Sequence, residues 1–158
     1  MALNDGAKQA NLKRSLDLYC KATFGVSEGL SVSYEGLPFD DTAFQNWVQP
    51  RIVGGTRKFY RSGSSTEYAQ DENILFQVNI FEKKSGATNT LQCYAIRDMV
   101  AYHFRPGKDI TIYEETGTTS VGKVKIRDVA NDEPLPETNE LNQYVFAVDM
   151  QWTRLVAK

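Results

Sequence analysis

Apolar residues recur at helical spacing between Ala7 and Phe24: Leu12, Leu16, Tyr19, Cys20 and Thr23 share one face of the wheel, while Lys13, Arg14, Asp17 and Lys21 lie elsewhere. An amphipathic helix is predicted there, ended by Gly25 and the Ser27-Glu28-Gly29 stretch. The period then drops to two. Leu30, Val32 and Tyr34 alternate with Ser31, Ser33 and Glu35, as a half-buried strand requires. A turn at Gly36-Leu37-Pro38 leads through Phe39-Asp40-Asp41-Thr42 into the β-rich run Trp47 to Val53, whose Pro50 assigns it to a sheet edge or a bulge. Residues 56–73 are the most irregular stretch and predict a protruding arm, with a short strand from Arg57 to Arg61 and a flexible Ser/Gly tip. Ile74, Phe76, Val78 and Ile80 then alternate with Leu75, Gln77, Asn79 and Phe81 in a clear strand.

A second helix is predicted over Ala87 to Phe104, with Leu91, Ala95, Met99 and Tyr102 as its apolar stripe and Ile96 and His103 broadening it. Pro106-Gly107 stops it and opens a strand through Ile110 and Ile112 to Glu115. After a Gly/Thr-rich turn come a strand through Val124 and Ile126, a loop over Asn131 to Pro136, and a long last strand with Tyr144, Phe146, Val148, Met150 and Trp152 on one face. Short turns between neighbouring strands permit antiparallel pairing. The expected fold is α+β: a mixed, mainly antiparallel sheet flanked by two main helices, in a single domain over residues 1–158.

With 158 residues, folding can bury about two-thirds of the surface that the unfolded chain exposes, enough for a core without staples. At 41% hydrophobic and 24% charged residues, the chain fits neither a disordered nor a fibrous class. No apolar run reaches membrane-spanning length, and Met1 to Asn11 lacks the apolar centre of a secretory signal, so no membrane partner is expected. Eighteen basic against twenty acidic residues leave a formal charge of −2, so any contact with nucleic acid has to be local. Cys20 and Cys93 are the only cysteines and read as core residues, because two thiols make neither a zinc site nor a disulfide framework.

Catalytic chemistry finds little to stand on. Val53-Gly54-Gly55-Thr56 follows an edge-like strand and lacks both a Walker lysine and dinucleotide spacing, so no cofactor is expected. His103 is the only histidine and falls on the apolar side of a helix end, where packing is the simpler role. The acidic pairs Asp40-Asp41, Asp71-Glu72, Glu114-Glu115 and Asp132-Glu133 lie in turns or point to opposite faces of a strand, so neither metal binding nor acid–base catalysis is expected. Trp47 and Trp152 sit in apolar strand patterns and read as core. The strongest local feature is Arg57-Lys58-Phe59-Tyr60-Arg61. If extended, it places Arg57, Phe59 and Arg61 on one side, a mixture suited to a protein interface, with a solvated loop and nucleic-acid contact as alternatives.

Taken in order, several segments resemble the tail-terminator family of long-tailed bacteriophages. They are the amphipathic first helix, Pro38-Phe39-Asp40 leading into Trp47-Val48-Gln49-Pro50-Arg51, the strand Ile74 to Phe81, the helix ending in His103-Phe104-Arg105-Pro106-Gly107, and Val148-Asp149-Met150-Gln151-Trp152. The resemblance implies a structural virion protein, not an enzyme. Such a subunit closes into a hexameric ring on the last tail-tube ring, stops tube polymerisation, and offers a surface for head-tail joining. The implied partners are copies of itself, the tail tube protein and the head-tail connector, with genomic DNA passing through the ring without specific binding. The implied location is the head-proximal end of the tail, after assembly in the host cytoplasm. Another neck or tail-completion protein is the alternative, and a small nucleic-acid-binding module a further one. Within the ring, Arg57, Phe59, Tyr60 and Arg61 are expected at the subunit interface and Glu114 and Glu115 on the lumen.

Overall fold

The computed structural model describes residues 5–61, 67–84, 91–136, 138 and 140–157, with side chains described for all of these except 5, 56–61, 67–68 and 155–157. Helix α1 spans Gln9–Cys20 and continues as a π-helical segment over Lys21–Ser27. Leu12, Leu16, Cys20 and Phe24 form its buried stripe, as the spacing required. A short strand β1 (Ser31–Val32) and a 3-10 turn at Asp41–Ala43 precede β2 (Asn46–Arg61) and β3 (Glu67–Lys83). Helix α2 spans Leu91–His103, followed by β4 (Asp109–Tyr113), β5 (Ser120–Pro134) and β6 (Leu141–Ala157). The expected start of α2 at Ala87 and the Ser/Gly tip of the arm lie outside the described residues.

The six strands form one curled sheet in the order β1-β2-β3-β6-β5-β4. Every pairing is antiparallel except β1 with β2, which run parallel because the connection between them crosses over instead of turning back. Ile74, Phe76, Val78 and Ile80 of β3 and Phe146, Val148, Met150 and Trp152 of β6 face the helices in one core. At about 25 cal/mol per Å² of apolar surface, this shared layer is the main stabilising term of the fold. The odd-numbered residues of β3 and β6 form the outer face, on the side away from the core that α1 and α2 cover.

Three expectations need correction. The segment Asn131 to Pro134 is not a loop but the end of β5, where the strand pairs with Ala147 to Tyr144 and carries two register slips that absorb its polar residues. Glu114 and Glu115 lie past the end of β4, in the turn to β5. Helix α2 is rotated from the expected stripe. Cys93, Ile96, Val100 and His103 are buried, while Leu91 is 70% and Tyr102 63% exposed. Two interleaved stripes of similar hydrophobicity exist in this sequence, and Phe104, packed at 5.2 Å on Phe76, belongs to the Ile96–Val100 one.

Candidate assembly surfaces

The arm is a three-stranded ribbon. Beyond Asn73 of β3, pairing continues on one side to β2, ending at Arg61↔Ala69, and on the other to β6, ending at Ala157↔Glu67. Arg57 to Arg61 are therefore strand, but the register slips between Arg57 and Phe59, so the unbroken alternation expected for Arg57, Phe59 and Arg61 does not run through them. The side chains of these four interface candidates, Tyr60 included, lie outside the described ones.

The root of the arm is a buried polar cluster centred on Arg154, which is 6% exposed. Its Nε donates to Gln70 Oε1 at 3.0 Å, its Nη1 to the Ala7 carbonyl at 3.2 Å, and its Nη2 pairs with Glu72 Oε2 at 3.1 Å. The guanidinium also stacks over Trp152, 4.9 Å from the ring centre. One side chain thus ties the N-terminal 3-10 turn to two strands of the arm. On the opposite face Thr153 donates to Asp71 Oδ1 at 2.6 Å. Nothing in the period-two pattern singles Arg154 out, since a lone arginine near a chain end normally reads as solvated.

The turn holding Glu114 and Glu115 is fixed to α1. Arg14 donates to both of their backbone carbonyls, at 2.8 Å for Glu114. The Glu114 carboxylate accepts from Thr116 Oγ1 at 2.5 Å and Thr118 Oγ1 at 3.2 Å, while Glu115 is exposed. Gly117 takes a φ of +79° with its α-carbon against Arg14, a place where a side chain would meet the guanidinium.

His103 closes α2. Its Nε2 lies 2.8 Å from Glu28 Oε1, and its ring stands edge-on to Phe24, an arrangement that staples the end of α2 to the π-helical segment. Cys20 and Cys93 are free and buried. Burial, then the nearby Asp17 charge, pushes the Cys20 thiol far up, while burial and then the neighbouring Glu82 push Cys93 to about 12. Both thiols are therefore unreactive. Among the described residues, no three His, Cys, Asp or Glu side chains gather where a metal ion could sit.

Trp152 is wholly buried in the main core. Trp47 is 6% exposed but lies on the outer face, in a separate stack: Phe81 at 5.2 Å, Phe39 at 5.9 Å, and Phe44 on Phe39 at 5.5 Å. This cluster pins the segment between β1 and β2 to the uncovered side of the sheet. Farther across that face Lys123, Lys125 and Arg127 line a cleft of about 410 Å³ with Gln151 and Thr153. A second cleft of about 500 Å³ lies between Cys93 and Tyr94 of α2 and the Pro134-Leu135-Pro136 segment. Beside it, Asp132 accepts from Arg97 Nε at 2.9 Å and Tyr144 Oη at 2.7 Å. The Arg97 hydrogen bonds, more than Tyr144, hold the Asp132 carboxyl below its usual range.

No family model and no curated protein matches the chain. Among solved structures it is similar to a protein of matching length, with a TM-score of 0.59, 12% identical residues and 96% of each chain covered. At that identity the likeness shows a shared fold across the whole chain and nothing finer. No helix among the described residues is long and apolar enough to cross a membrane.

Proposed function

We propose that the chain is a structural virion subunit that caps the head-proximal end of a phage tail tube as a homo-oligomeric ring. In this role it halts tube growth and presents the surface on which the head-tail connector docks. The observation that carries the reading is the arm: a ribbon of β2, β3 and β6 that runs on past the last pairing of β5 with β6, and whose β2 edge beyond Val48 has no strand beside it among the described residues. An open strand edge that meets a different surface of the neighbouring copy makes a heterologous contact, and such contacts close into a ring when the rotation between copies closes. The polar cluster around Arg154 holds that ribbon at a fixed angle to the core, as a ring of defined size requires.

In such a ring, the stretch with Arg57, Phe59, Tyr60 and Arg61 engages the neighbouring copy. The acidic turn at Glu114 and Glu115 faces the passing DNA, which its charge repels. Light scattering and negative-stain microscopy of the purified protein, with and without tail tubes, test the proposal. Rings, or tubes closed at one end, are expected. A stable monomer that leaves tubes uncapped overturns it, as does a ring that persists when Phe59, Tyr60 and Arg61 are all replaced by serine for the arm contact.

A further inference from the structure

The two border strands of the sheet, β1 and β4, are short, and each leaves part of its longer neighbour uncovered. β4 borders β5 from Ser120 to Lys125, and the backbone of Ile126 is then met by Gly107 and Lys108, at 2.8 and 2.9 Å. From Arg127 to Pro134, β5 has β6 on one side and no strand on the other among the described residues, and every residue of that stretch is exposed. On the opposite border, β1 accompanies β2 only at Trp47 and Val48. Farther along, β2 has β3 on one side alone, and Arg51, Val53, Gly54 and Gly55 are exposed.

These two edges carry opposite charge. β2 holds Arg51, Arg57, Lys58 and Arg61 and no acidic residue, whereas β5 past Arg127 holds Asp128, Asp132 and Glu133 and no basic one. The Asp132 carboxylate is already engaged by Arg97 and Tyr144. Among the described residues Asp128 has no ion pair, and Glu133 accepts only from the Asn131 amide at 3.2 Å. Asp128 also stands directly opposite Asp149 of β6, an arrangement of like charges that costs stability. Arg127, its neighbour, donates to Gln151 instead. A cation brought in from outside relieves that repulsion. Each edge offers one exposed valine as well, Val53 and Val129, both 43% exposed. Both edges carry two register slips, which blunt plain strand addition and leave charge to select the partner.

We propose that the basic β2 edge of one copy, Arg51 to Arg61, seats along the acidic β5 edge of the next, Asp128 to Pro134. Because these edges bound opposite sides of one sheet, the contact is heterologous and repeats from copy to copy, as a ring requires. Arg57, Lys58 and Arg61 supply cations to Asp128 and Glu133, and Val53 and Val129 add apolar area to the contact. The inference rests on the self-assembly proposed above and names the surface that the arm engages.

Charge reversal tests the contact. Asp128→Lys with Glu133→Lys makes both edges basic, and Arg57→Glu with Lys58→Glu and Arg61→Glu makes both acidic. Each variant alone is expected to melt as the parent does yet to stay monomeric in light scattering at concentrations where the parent forms rings. In an equal mixture, alternating copies present opposite charges at every contact, and rings are expected to return. A chain carrying both sets of changes is expected to form them unaided. Either variant assembling alone as the parent does overturns the edge contact and leaves the ring standing. Monomers that persist both in the mixture and in the fully swapped chain overturn the pairing of these two edges, and a parent that never self-associates overturns the ring reading as well. Salt decides on the parent without any variant. Raising it from about 0.05 to about 0.5 M is expected to weaken self-association by on the order of tenfold, and assembly indifferent to salt overturns the proposal.

Discussion

Replacing Glu82 with methionine is expected to stabilise this protein. Glu82 continues the inward row of β3 past Ile80, opposite Asn46 on one side and Asn142 on the other, and is 0% exposed. Neither of its carboxyl oxygens has a hydrogen bond. The Cys93 thiol lies beside it, but the sulfur is directed at the Asn142 carbonyl at 3.8 Å. A buried polar group left without a partner costs about 1–3 kcal/mol, and methionine has nearly the same length, no polar hydrogen-bonding demand and a flexible chain to fill the space. Glu82→Met should therefore raise the unfolding free energy by about 1–3 kcal/mol, with the midpoint temperature rising about 2–4 °C per kcal/mol for a chain of this size. Glu82→Gln keeps the shape and the unpartnered polar atoms, and should change stability by less than Glu82→Met. Urea titrations followed by tryptophan fluorescence supply both numbers, and an unchanged m-value ties the effect to the native state. If Glu82→Met instead loses 1 kcal/mol or more, the carboxyl group has a stabilising partner and the reasoning fails.

Other predictions follow from the same geometry. Asp132→Asn should cost about 1 kcal/mol at pH 7, since the ion pair with Arg97 is part-exposed, with side chains 27% and 28% accessible. Because the folded carboxyl titrates below its unfolded value of about 3.9, its contribution is present above that pH and fades as pH falls through the folded value; equal parent and variant stability at pH 7 would refute it. Arg154→Leu strands the Glu72 carboxylate, whose side chain is 10% accessible, and should cost about 3–5 kcal/mol in a denaturant titration, partly recovered by adding Glu72→Gln. Gly117→Ala, at a φ of +79° and with a β-carbon 2.6 Å from Arg14 Nη2, should lose about 1–2 kcal/mol in a thermal melt. Native protein at pH 8 should leave both thiols unmodified by a disulfide probe for as long as it stays folded; rapid release of the chromophore would show that Cys20 or Cys93 is accessible.

Much of the architecture was legible because local rules agreed with the global fold. The strand from Ile74 to Phe81 and the last strand from Tyr144 to Trp152 alternate cleanly, since one face meets helices and the other does not. The first helix kept its Leu12–Leu16–Cys20 stripe for the same reason. Pro50 announced an edge, and its ring does sit where no neighbouring strand needs its N–H. The stop at Pro106-Gly107 held too, with Gly107 at a φ of +87° ending α2.

Pattern alone could not decide between the two stripes of α2, because Leu91–Tyr102 and Ile96–His103 are equally apolar and only packing against Phe76 and Glu28 selects one. It placed a loop at Asn131 to Pro134, because the bulges that let polar residues ride an exposed edge are set by the facing strand. Trp47 looks like core in one dimension, and only the sheet's pleat puts it on the outer face with Phe39, Phe44 and Phe81.

The features that bear on assembly are of this second kind. Periodicity determined that there would be a half-buried sheet and two helices, and composition that an arm would protrude between two strands, since those follow from neighbours a few residues apart. That Arg154 meets Gln70 and Ala7, 84 and 147 residues away, and that Glu82 is buried between Asn46 and Asn142 were decided only when distant segments came together. Burial and hydrogen-bond pairing are properties of pairs of segments, and no single segment carries them.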